Sequence, residues 1–284
     1  MKKFILLIIL SYGSWMGNSS RAFAQESDSG YNPNSINPIH ESDIMLQKRI
    51  WLRMDLKEKQ NKPFFSFRRE ITKFIIEGVD QGLLTPYEND SLQVEMTKEV
   101  FRENLKRPEE EGGLSEEEKA LGFTEVDDTD WGDSDQNSLP QEQTVSYFQP
   151  QEISVLEIME DWIFDRRRSK LVYDIQSIKL IIPEEKFETG LFKVVGTFKY
   201  KDLATYFDSM PKEAIWVNPY NSAENRKLTE AFTLRLFSAR IVKVENPDDD
   251  PLEQIYNKSP EEGIMASQWM EEKLIAEESN LWEE

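Results

Sequence analysis

Apolar positions fall along this chain in blocks of different period, and each period predicts an element. Phe4 to Leu10 is unbroken and follows Met1-Lys2-Lys3; the small residues of Ala22-Phe23-Ala24 close the region. This pattern predicts a cleavable export signal over 1–24, with Gln25 as the first mature residue. A membrane-spanning anchor needs about 20 consecutive apolar residues. Here Ser11, Gly13, Ser14, Gly17 and the run Asn18 to Arg21 interrupt too early. Ser27, Ser29, Gly30, Pro33 and Pro38 then break any period, which predicts a flexible leader over 25–41.

From Ser42 the pattern reads as helical. Ile44, Ile50, Trp51, Met54 and Leu56 give one apolar side, with Lys48, Arg49 and Arg53 on a basic one. Ser42-Asp43 as a cap and Asn61-Lys62-Pro63 as a stop predict a helix over 44–58. Ile71, Phe74, Ile75 and Val79 predict a second helix over 68–80 that stops at Gly82. A third, short helix starts at Thr97 and ends near Arg107-Pro108. Together these make 42–107 a helical N-terminal part.

Past Gln143 the pattern mixes strand and helix. Ile153 to Phe164 is apolar at no single period, so helix and strand remain open there. Leu171 to Ile182 is rich in β-branched residues and stops at Pro183, which predicts a strand. Strands are also expected over Phe192–Tyr200, Ala214–Val217 and Ser238–Glu245. Helices are expected over Lys201–Met210, Leu228–Phe237 and the tail Ser259–Trp282. The fold class is α+β: N-terminal helices, then a small antiparallel or mixed sheet with packed helices over 143–284.

Residues 108–142 interrupt this order. They carry 13 acidic residues against one basic residue, Lys119, so like charges repel and little apolar area opposes them. The expectation is a disordered, exposed insert with a passing helix over Leu114–Leu121, cut first in limited proteolysis.

Charge and composition narrow the function. The chain holds 34 basic and 54 acidic side chains. Three of the basic ones lie in the signal, so the mature chain has 31 and a formal charge of −23. Nucleic acid is therefore a poor partner. With no cysteine, disulfides, thiolate metal sites and lipidation on a thiol are excluded. Any membrane position must come through a partner rather than a direct span.

The search for catalytic chemistry is negative. The one histidine, His40, sits in the leader and is expected to be a solvated residue of a mobile segment. No Gly-x-Ser-x-Gly elbow or phosphate-binding loop is present. Asp133 to Asn137 matches only the first three ligands of a calcium loop, with Ser138 and Thr144 at the positions of the glycine and glutamate. No cofactor and no metal site is expected. Arg166-Arg167-Arg168 is a candidate grip for an acidic partner or for the insert, set against a plain solvated loop. Trp51, Trp162, Trp216 and Trp269 are assigned to the core; Trp282, near the C-terminal end, is the better interface candidate. Abundant carboxylates and aromatics leave a second reading, a periplasmic carbohydrate-binding or carboxylate-based glycan hydrolase module.

Several blocks carry a resemblance. SDIMLQKRIWLRMDLKEKQNKP (Ser42–Pro63), DWIFDRRRSKLVYDIQSIKLIIP (Asp161–Pro183), LTEAFTLRLFSARIVKVENPDDDPLEQIY (Leu228–Tyr256) and the Gly263–Trp282 tail resemble the GldN/PorN family, in order. That family serves type IX secretion and gliding motility in Bacteroidetes. The resemblance implies a non-enzymatic periplasmic subunit of an outer-membrane-associated ring. It further implies a GldK/PorK-like outer-membrane lipoprotein and the periplasmic domain of a GldM/PorM-like motor as partners, in a higher-order ring oligomer.

Overall fold

The computed structural model describes residues 30–108, 146–187, 189–256 and 260–281. The signal, all of the acidic insert except Pro108, the calcium-like run Asp133–Asn137 and Trp282 lie outside the described residues.

In chain order the elements are β1 (Ile44–Asp55), β2 (Phe65–Ser66), β3 (Arg69–Glu70), α1 (Ile71–Asp80), α2 (Lys98–Asn104), β4 (Val155–Asp165) and β5 (Lys170–Ile182). Then follow β6 (Lys193–Lys199), α3 (Tyr200–Ser209), β7 (Ile215–Trp216), β8 (Arg226–Lys227), α4 (Leu228–Thr233), β9 (Arg240–Val244), α5 (Leu252–Ile255) and α6 (Pro260–Leu281). The class is α+β. Its centre is a five-stranded antiparallel sheet in the order β6-β5-β4-β1-β9.

The first expected helix is a correction. Residues 44–55 form β1, which pairs with β4 on one side and β9 on the other. The underlying period is two: Ile44, Leu46, Ile50, Leu52, Met54 and Leu56 alternate along the chain. Ile50, Leu52 and Met54 point into the main core. Trp51 interrupts the alternation because it packs on the other face with Met159 and Val242. A strand covered on both faces loses a clean alternating pattern. The undecided stretch 153–164 is β4 from Val155 on, and the same reason hides it.

The helices cover one face of the sheet. Ile71, Phe74, Ile75 and Val79 of α1 enter the core as their spacing predicts, and α1 stops at Gly82 with φ +73°. The predicted strands and helices after Leu171 are present. One is shorter than expected: α4 ends at Thr233, because Arg235 takes a left-handed φ of +52°. Helix α6 crosses the far end of the sheet, burying Leu274 and ion-pairing Glu277 with Lys48 of β1.

Over its described part the expected leader is an irregular loop with contacts of its own. Residues 30–41 close a loop in which Glu41 N–H donates to the Gly30 carbonyl at 2.9 Å. The His40 ring stands edge-on to Tyr31, with centroids 4.8 Å apart, and its Nδ1 accepts from Ser42 N–H. The histidine is thus a local staple rather than a solvated side chain of a mobile segment. Asn32 then ties the loop to Gln176 of β5 at 2.9 Å.

Candidate interaction site

The sheet face opposite the main core carries the charge. Antiparallel pairing puts Arg49 across from Asp161, and the guanidinium grips both carboxylate oxygens at 2.7 and 2.9 Å. Asp161 is fully buried. Its hydrogen bond holds the Arg49 pKa above the usual value, against the opposing effect of burial. Next along, Lys179 Nζ meets Glu157 at 2.7 Å and Asp90 at 2.9 Å. Burial works against the Lys179 charge, but the two carboxylates outweigh it and raise its pKa. Asp90 also accepts from the Trp51 indole at 3.0 Å, while Lys243 lies 4.3 Å above the Trp51 ring. Of these groups, Arg49, Trp51, Asp90, Lys179 and Lys243 line an open groove of about 700 Å³.

On the core side, Glu160 is fully buried and accepts from Arg235 at 2.7 Å and from the Trp162 indole at 2.6 Å. The Arg235 guanidinium lies 4.3 Å from the Tyr173 ring centre. The left-handed backbone at Arg235 directs this side chain back to the sheet, which is why the helical pattern of Leu228–Phe237 is broken there.

Asp161 and Asp174 are cross-strand neighbours and come nearest to the paired carboxylates of glycan hydrolysis. Burial raises the Asp174 pKa, and a 2.7 Å bond from Gln176 opposes that shift. Asp161, however, has both oxygens committed to Arg49, so it is not free to act as nucleophile or base.

The three sequence-nominated arginines form the β4–β5 hairpin tip. Asp165 Oδ1 accepts from Arg167 N–H at 2.8 Å and from Arg168 N–H at 3.1 Å, closing an Asx-type turn. Ser169 completes it at φ +45°. All three side chains are exposed, and among the described residues no carboxylate pairs with Arg166 or Arg167. Arg168 and Lys170 continue from the tip into a groove of about 800 Å³ along β5.

The tryptophans divide. Trp51 is buried in the small second cluster, and Trp162 and Trp216 pack against the main core. Trp269 corrects its assignment: it is 48% exposed on α6 and stacks edge-on against Tyr256 at 6.3 Å. Met265, one helical turn before Trp269, and Ile255, next to Tyr256 in sequence, are also about half exposed. The helical spacing of Met265 and Trp269 put both on one face, but from the sequence that face was indistinguishable from a core stripe.

Fold and surface together define an α+β protein whose exposed features suit contacts with other polypeptides. The family model for gliding motility associated protein GldN matches residues 39–283. The chain belongs to that family, which is defined by a part in gliding motility and not by an enzymatic reaction. No curated protein matches it. Among the described residues, no helix is long and apolar enough to cross a membrane.

Proposed function

We propose that this chain is a non-enzymatic structural subunit of the type IX secretion and gliding motility machinery. In this reading it works in the periplasm, in an outer-membrane-associated ring. A GldK/PorK-like lipoprotein holds it at the membrane, and it contacts the periplasmic domain of a GldM/PorM-like motor. The family match over 39–283 carries the reading. Two features support the finer parts. The export pattern of residues 1–24 fits delivery to the periplasm, and with no thiol for lipidation in the chain, a lipidated partner is the attachment this reading calls for. The most deeply buried carboxylates of the sheet are committed to ion pairs, which suits a scaffold better than acid–base chemistry.

The test is deletion of the gene in its own host, with affinity purification of the tagged protein from detergent-solubilised outer membrane. Loss of gliding or secretion and recovery of one outer-membrane lipoprotein in fixed ratio are expected. Unchanged gliding and secretion with no lipoprotein recovered overturns the proposal.

A further inference from the structure

Strand β5 is longer than its partner on one side. It pairs with β4 along its whole length, but with β6 only from Ser177 to Ile182. At Tyr200 the chain leaves the sheet and becomes α3. From Lys170 to Ile175 the outer edge of β5 therefore has no strand beside it among the described residues. This bare edge is the floor of the groove of about 800 Å³. Ile36 to Pro38 of the leader loop form one wall, and Phe232 to Arg235 form the other.

An exposed strand edge offers a row of unpaired N–H and C=O groups to any extended chain. Proteins usually blunt such an edge; here a groove is left open beside it. Six residues at about 3.4 Å each make a slot roughly 20 Å long, room for one short strand.

We propose that the Lys170–Ile175 edge is a docking slot for an extended acidic segment of another protein, added as a sixth strand. Charge selects the occupant. Lys170 stands exposed at the entry beside Arg168, which Asp165 meets at 3.6 Å, and Arg166 and Arg167 lie at the tip with no carboxylate paired to them among the described residues. Inside the slot, Arg235 is already neutralised by Glu160. Asp174 lies buried with its charged form disfavoured, and Glu278 stands near Tyr173. The entry is thus a basic feature on a chain of net charge −20. A second copy pairing antiparallel along this edge would set each basic tip against the Ile175 end rather than against an acidic side chain, so charge gives it no preference. Apolar contacts from Leu171, Val172 and Leu234 favour a segment that alternates acidic and β-branched residues. The inference stands independently of the machinery proposed above.

The probe is a synthetic peptide of about eight residues, the length of a short strand, alternating glutamate and valine. Controls replace its glutamates by lysine, or one central valine by proline. Binding to the full mature chain is read by fluorescence anisotropy, and backbone protection by hydrogen exchange. The glutamate peptide is expected to bind, to slow amide exchange within 170–175, and to bind about tenfold more weakly to an Arg168→Glu, Lys170→Glu variant of unchanged thermal midpoint. Both controls are expected to bind at least about tenfold more weakly. Equal binding of the lysine peptide, protection elsewhere, or protection of 170–175 in the free chain overturns the proposal. So does concentration-dependent self-association through this edge in sedimentation.

Discussion

Arg235 and Glu160 join two elements that lie 75 residues apart in sequence. A fully buried carboxylate is costly unless it is paired, and here one guanidinium and one indole satisfy it. Arg235→Ala strands that charge. The expected loss is about 3 kcal/mol, the low end for a broken buried pair, because Arg235 itself is partly exposed. Glu160→Gln added to that variant removes the stranded charge and should restore part of the loss in urea denaturation. A double variant no more stable than Arg235→Ala alone would mean that the ion pair is not what binds α4 to the sheet. Asp174 behaves oppositely. Burial raises its folded pKa, so the proton is held more tightly in the folded than in the unfolded chain. Its contribution is favourable below the unfolded pKa and is lost as pH rises through the raised folded value. Asp174→Asn should therefore stabilise the protein at neutral pH. That advantage should shrink as pH falls through the carboxylate range, read as the difference in denaturant midpoint between the two proteins.

At the scale of elements, packing overrides local preference. Gly78 sits inside α1, where alanine is normally better by about 1 kcal/mol. A Cβ at 78 would stand 2.6 Å from Leu84 Cδ1 and 3.0 Å from Tyr206 Cε1. Gly78→Ala is thus expected to bring no helix gain and to destabilise by up to about 2 kcal/mol, the overpacking cost less the helix gain, measured as a lower urea midpoint. Legibility in the sequence followed the same logic. Helices α1 and α3 and strand β5 were readable, because each has a single apolar face or a dense β-branched run ended by glycine or proline. Strand β1 was not, because Trp51 has its own pocket on the second face and Lys243 covers it from β9. The short end of α4 was not readable either: the left-handed turn at Arg235 answers to Glu160, a partner that no local pattern reveals. The arginine tip was visible as a cluster, but the bare edge behind it depends on where β6 stops.

Across the whole molecule, the exposed basic cluster and the exposed apolar patch fall on different elements. The basic tip lies at one end of the β4–β5 hairpin. Helix α6 carries Glu261, Glu262, Glu271, Glu272, Glu277 and Glu278 against Lys273 alone. On that acidic helix, Trp269 meets Tyr256 at the end of α5, and Met265 and Ile255 near them in sequence are also exposed apolar side chains. A half-exposed tryptophan on an acidic helix has the composition of a contact hot spot, and such a surface would favour a basic partner. Substituting Trp269 separates contact from stability. A core tryptophan costs about 3–5 kcal/mol when cut to alanine. Trp269, with nearly half its surface open, should cost well under half of that. Trp269→Asp is accordingly expected to leave the thermal midpoint within a few degrees of the parent while abolishing co-purification of partner proteins from solubilised membrane. A large fall in midpoint would place Trp269 in the core. Intact co-purification at an unchanged midpoint would move the contact surface away from α6, leaving the basic hairpin tip as the other exposed candidate.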